Sequence, residues 1–229
     1  MKKIFAFILA TLMLISFAAC SNQSGGNNDK KPDSNNSTIT PGDKTSSVKP
    51  ADIEKAIKEA IGKDGYLCDT DISAEDLANR YDLDMTKVET FVAKENSVSS
   101  VNLDTVIILQ VKAGYEADAI KAINGTYEQT VSYIRQYPFG VAKVEGARLY
   151  QNGNVVALIL AGANAKDNAT AEDRAKTADA EYQKIDNAWK SLFGSLPQNQ
   201  IVIPEDNGNN GGGGGLIIPD DEDMPIVGG

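Results

Sequence analysis

Apolar side chains recur along the chain in two rhythms, and the change from one to the other marks out the elements. Ile53, Ala56, Ile57, Ala60 and Ile61 step by three and four residues, the spacing of one helix face, so a helix is predicted over 51–61 with Gly62 as its stop. Ser73 followed by Asp76 reads as a capped start for a short helix carrying Leu77 and Tyr81, and Asp84 caps a further turn carrying Val88. A strand is predicted over 90–98 and a stronger one over 103–111. In the latter Val106, Ile107, Ile108 and Leu109 form the continuous apolar run of a strand covered on both faces. Ala117, Ile120, Ile123, Tyr127, Val131 and Ile134 return to helical steps, predicting a helix over 116–136 that stops before Pro138. Gly125 inside it costs about 1 kcal/mol relative to Ala. Asn152-Gly153 between two apolar runs, 147–151 and 155–160, is a strong hairpin signal. Thr170 then caps a last helix, with Ala175, Ala178, Tyr182, Ile185, Trp189 and Leu192 in one core-facing stripe and Gly194 closing it.

The order is helix, strand, strand, helix, strand, strand, helix. It predicts an α+β fold: a single domain over 51–197, with an antiparallel sheet of about four strands and helices packed on it. A domain of that length buries enough surface to be stable without metal or disulfide.

The flanks are of another kind. Lys2 and Lys3 precede a run, 4–17, that is uncharged and polar only at Thr11 and Ser16, and Ala18, Ala19 and Cys20 follow. A spanning helix needs about 20 apolar residues, so 1–19 reads as a signal peptide. The two small residues before a cysteine resemble the lipobox of bacterial lipoproteins. That resemblance implies cleavage before Cys20 and a diacylglyceryl group on its sulfur, which anchors the chain to the outer face of the cell membrane. Each buried methylene is worth ~0.8 kcal/mol, and two acyl chains hold where one does not. A secretory signal with an unrelated cysteine is the plainer alternative. Residues 21–50 hold six Ser and five Asn but only Ile39 and Val48 as large apolar side chains, the composition of a flexible tether. Ser46 and Lys49 in it repeat a Ser-x-x-Lys spacing that a tether cannot preorganise. Residues 198–229 carry six acids and no base, which reads as a disordered acidic, glycine-rich tail. Within it Ile201-Val202-Ile203-Pro204-Glu205-Asp206 is echoed by Leu216-Ile217-Ile218-Pro219-Asp220-Asp221. The two aliphatic runs are candidate interaction residues, able to add to a sheet edge.

Composition narrows the chemistry. A net charge of −10 argues against nucleic acid as a partner. With no histidine there is no Ser/His or Cys/His pair and no imidazole ligand. Cys68 is the only thiol besides Cys20 and reads as a small buried side chain. Asp69-Thr70-Asp71 imitates the start of a calcium loop, but Ala74 and Arg80 stand where Gly and Glu are required, so helix capping explains the acids better. No phosphate loop, dinucleotide fingerprint or serine elbow is present, and no metal, cofactor or catalytic residue is assigned.

Residues 71–162 carry a second resemblance. Ile72-Ser73-Ala74-Glu75-Asp76-Leu77, Tyr81-Asp82-Leu83-Asp84, Phe91-Val92-Ala93-Lys94, Val111-Lys112-Ala113 and Tyr137-Pro138 look like a Gram-positive lipoprotein family whose shared domain has no known function. Such a family supplies no catalytic residue. The reading is a membrane-anchored extracytoplasmic binding or interaction module with a protein or cell-wall partner in the envelope. The alternatives are a cell-envelope hydrolase using paired carboxylates and the solute-binding component of a transporter.

Overall fold

The computed structural model describes residues 48–99, 102–137 and 139–206. The signal segment, Cys20, most of the tether and the second aliphatic run, Leu216, Ile217 and Ile218, lie outside the described residues. Five α-helices and five strands follow one another: α1 (Pro50–Gly65), β1 (Thr70–Asp71), α2 (Ala74–Tyr81), a single 3-10 turn (Met85–Lys87), β2 (Val88–Glu95), β3 (Thr105–Val111), α3 (Glu116–Ile134), α4 (Val141–Glu145), β4 (Arg148–Asn152), β5 (Val155–Leu160) and α5 (Ala171–Phe193). The α+β reading holds, with one strand more than expected.

Local chemistry sets the boundaries. The hydroxyls of Ser73 and Thr170 accept from the backbone N–H of Asp76 and Asp173 and start α2 and α5. Gly194, in the left-handed region, ends α5. Gly62 does not stop α1. Its φ of 68° puts a kink in a helix that runs on to Gly65. The buried stripe of α3 begins at Ala119 rather than Ala117, and that of α5 at Ala178 rather than Ala175; Ala117 and Ala175 are both exposed. The hairpin is one residue out of the expected register: Asn152 pairs with Val155, so the two-residue turn is Gly153-Asn154, with the positive φ on Gly153.

The sheet runs β1-β2-β3-β5-β4 with every neighbour antiparallel. The β4–β5 hairpin thus folds back so that β5 slots between β3 and β4. Helices cover both faces, which is why β5 is buried at all six positions and β3 at five of its seven. Val92, Ile108, Ala157 and Tyr150 share one face through the cross-strand pairing. There Tyr150 meets Trp189 of α5 at 5.1 Å and α1 packs on β2, β3 and α5. On the other face Glu95 takes a two-point ion pair from Arg80 of α2, and α3 packs on β5. Complete burial of side chains such as Trp189, Ile53 and Leu77 contributes roughly 1.5–3 kcal/mol each.

Hydrogen-bonded structure continues past Pro197, the end expected for the domain. Asn199 accepts from the N–H of Leu149 and donates to the carbonyl of Ala147, while the Gln200 N–H donates to the Leu149 carbonyl. Asn124 of α3 donates to the Gln200 carbonyl and accepts from the Val202 N–H. Two asparagines therefore clamp residues 199–202 along the free edge of β4, with Ile201 and Ile203 packed against the core. A tail disordered from residue 198 is not what the structure has up to this point.

Candidate functional site

The ends of β2 and β5 and the start of β3 lie together, because Glu95 pairs with Thr105 and Thr105 with Leu160. The loops leaving this end of the sheet enclose a cleft of about 770 Å³. Among the described residues its walls come from four distant parts of the chain: Leu67 and Asp69; Asn96, Val98 and Asn102; Tyr137, Phe139 and Gly140; and Asn164 and Arg174.

The aromatic wall follows from how α3 ends. Successive tight turns, Tyr137 N–H to the Ile134 carbonyl and Gly140 N–H to the Tyr137 carbonyl, bend the chain sharply at this point. Gly140 permits the close approach, since a Cβ there would come within 2.7 Å of Ile134 Cδ1. The bend leaves Tyr137 half-exposed and Phe139 68% exposed, and Val98, 81% exposed, lines the same cleft. The Arg174 guanidinium lies 4.6 Å from the centroid of the Phe139 ring and donates to the Asp167 carbonyl, which holds the ring in place. Tyr133 stacks obliquely on Tyr137 at 5.2 Å. Exposed large apolar side chains lining one cleft make it the candidate site of the domain.

The polar groups of the cleft are fixed by the protein. Asn96 donates to the Leu67 carbonyl and accepts from the Ser99 N–H. Asp69 accepts from the Ser97 N–H and hydroxyl, and the backbone bond above all holds its carboxyl below the ordinary range. Asn164 accepts from Lys143 Nζ.

Below this layer is a buried ion pair. Asp104 is 1% exposed, and Lys143 Nζ stands 2.5 Å from its Oδ1, although neither carboxylate oxygen receives a well-directed hydrogen bond. Burial outweighs the ammonium and pushes the Asp104 carboxyl up to about 6. Lys143 ties α4 to the loop before β3 and, through Asn164, to the loop after β5, so it braces two walls of the cleft. Cys68 is buried nearby. Burial foremost, with the Asp104 charge second, pushes its thiol up to about 12, which makes it inert as a nucleophile.

Asp104 is the one carboxyl with a clearly raised pKa among the described residues, and it is buried, paired with Lys143 and not among the residues that line the cleft. Asp69, on the rim, stays ionised. Asp71 pairs with Lys94, so the acids that imitate a calcium loop have protein partners, and no group of three metal-ligating side chains forms among the described residues. Of the residues singled out as interaction candidates, Ile201 and Ile203 are half-buried in cis and Val202 points outward. Cys20 and the 216–218 run lie outside the described residues. No helix among them is long and apolar enough to cross a membrane. The sequence reading missed the cleft; its one local signal was the aromatic pair Tyr137 and Phe139 between a helix stop and Gly140.

A domain of unknown function (DUF4358) is present at residues 66–161, from just before β1 to just past the end of β5. Helices α1 and α5, which cover one face of the sheet, lie outside the matched stretch. No curated protein and no solved structure matches the chain.

Proposed function

We propose that this is an extracytoplasmic lipoprotein, anchored through Cys20, whose domain binds an apolar or aromatic ligand in the cleft at the end of the sheet. The observation that carries the binding reading is the exposed Phe139, held by Arg174 beside Tyr137 and Val98 over a cavity of about 770 Å³. That volume lies within the usual span of small-molecule sites, and an apolar lining with a few fixed polar groups is the usual make-up. The anchor rests on Lys2, Lys3, the apolar run and Ala18-Ala19-Cys20. A tether of thirty-odd residues extends up to ~100 Å, which lets the domain sample the envelope away from the bilayer.

A hydrolase with paired carboxylates is less well supported, because the raised carboxyl, Asp104, is buried against Lys143 and does not line the cleft. The test is titration with an apolar fluorescent dye. Saturable binding weakened several-fold by Phe139→Ser, and unchanged by Val202→Ser at an exposed position elsewhere, is expected. Equal binding by both variants refutes the seat.

A further inference from the structure

A second cavity, of about 380 Å³, adjoins the cleft between the end of α2, one side of α3 and the loop that leads into β3. The two share part of their walls. Asn96 and Asn102 line both, and Tyr133, which lines the second, stacks on Tyr137 of the first with ring centroids 5.2 Å apart. Their chemistry differs. The cleft exposes Val98 and Phe139, whereas the residues around the second cavity are polar in all but a few cases. The charges among them are already matched: Arg80 donates to both carboxylate oxygens of Glu95, at 2.9 and 2.6 Å, and Asp104 stands against Lys143. What remains for a ligand is uncharged. The Gln129 amide and the Thr130 hydroxyl, both lining the cavity from α3, have no hydrogen-bonding partner among the described residues. The Asn102 side chain uses only its oxygen, which accepts from the Asp104 N–H. Amides and hydroxyls both donate and accept, so they are satisfied by a group that does the same. A phosphate or carboxylate brings acceptors alone and an ammonium donors alone. A charged group would also be left without a counter-charge unless it broke the Arg80–Glu95 pair.

We propose that the second cavity is the polar half of the binding site and takes the sugar of a neutral glycoside whose apolar or aromatic aglycone lies in the cleft. The inference rests on the cleft being the binding seat. A sugar ring carries hydroxyls that donate and accept around its edge and C–H groups on its faces. Tyr133 and Tyr137, both part-exposed where the two cavities meet, offer ring surface to those faces. A volume of about 380 Å³ is at the small end of ligand sites, in keeping with one part of a ligand rather than the whole.

The experiment is calorimetric titration of the full mature chain carrying Cys20→Ser with four probes: methylumbelliferone alone, its β-glucoside, its N-acetyl-β-glucosaminide and its phosphate. At least one glycoside is expected to bind about tenfold more tightly than methylumbelliferone, the worth of one or two net hydrogen bonds. Gln129→Ala with Thr130→Val is expected to remove most of that advantage, and Phe139→Ser to weaken methylumbelliferone and glycoside alike. If neither glycoside exceeds methylumbelliferone while Phe139→Ser still weakens the latter, the sugar seat is overturned and the cleft stands. A glycoside advantage that survives the paired α3 substitutions places the sugar elsewhere and overturns the proposal. Tighter binding of the phosphate than of either glycoside overturns the neutral class. Methylumbelliferone affinity unmoved by Phe139→Ser overturns the cleft and the proposal together.

Discussion

Lys143→Met tests whether the cleft walls are braced by a buried charge pair. Methionine keeps most of the stem volume and removes the ammonium, leaving the Asp104 carboxylate, 1% exposed, without a counter-charge. Breaking a buried pair on one side costs roughly 3–5 kcal/mol, and at 2–4 °C per kcal/mol for a chain of this size that lowers Tm by about 10 °C at pH 8. The cost depends on pH in a definite direction. Asp104 titrates at about 6 when folded against an ordinary 3.8, so it holds its proton more tightly in the native state. The stability this group contributes is therefore fully present below about pH 4 and is lost as pH rises through 6, a swing of about 3 kcal/mol. Removing Lys143 raises the Asp104 pKa further. At pH 4.5 the carboxyl is then largely protonated in both proteins, and the difference between them falls to about 1 kcal/mol or less. Urea unfolding of the two proteins at pH 4.5 and pH 8 is the assay. Other carboxyls, such as those of Asp69 and Asp84, are held low and lose their contribution as pH falls. They do so equally in both proteins and drop out of the comparison. A destabilisation of the same size at both pH values refutes the buried-charge account.

Three further outcomes are expected. Asn124→Ala removes both hydrogen bonds that hold residues 200–202 on α3. It should cost about 1–3 kcal/mol and open the chain after Asn199 to limited proteolysis; an unchanged digestion pattern counts against the clamp. Cys68, buried and pushed up to about 12, should react with iodoacetamide at pH 8 on the order of 100-fold more slowly in the folded chain than in urea, and equal rates contradict its burial. Mass spectrometry of the mature N-terminus should find Cys20 first in the chain and carrying a diacylglyceryl group, whereas cleavage elsewhere or a free thiol removes the anchor.

Features that depend on near neighbours were legible in the sequence. Helical steps and hydroxyl caps located α1, α2, α3 and α5 to within a few residues, because the residues that cap a helix and face the core lie within one or two turns of each other. The hairpin was legible for the same reason, although Gly153-Asn154 rather than Asn152-Gly153 forms its turn. The unbroken run 106–109 correctly implied a strand covered on both faces. Two elements were too short to carry any periodicity: β1, whose two residues are exposed, and the five-residue α4. The cleft and the Asp104–Lys143 pair were illegible because their members lie far apart in sequence and meet only once β3 and β5 are paired. The 199–202 clamp was hidden in a segment whose composition is that of a tail. Its asparagines look like turn residues until β4 offers an open edge.

The central claim, that the cleft is where this domain takes its ligand, is tested most directly by two-dimensional amide NMR of the full mature chain titrated with an apolar aromatic probe. The account predicts saturable shifts confined to the cleft walls, at Val98, Phe139, Gly140, Asn164, Ala165 and Arg174. Shifts centred instead on exposed Leu196 and Val202, or scattered without saturation, would contradict it.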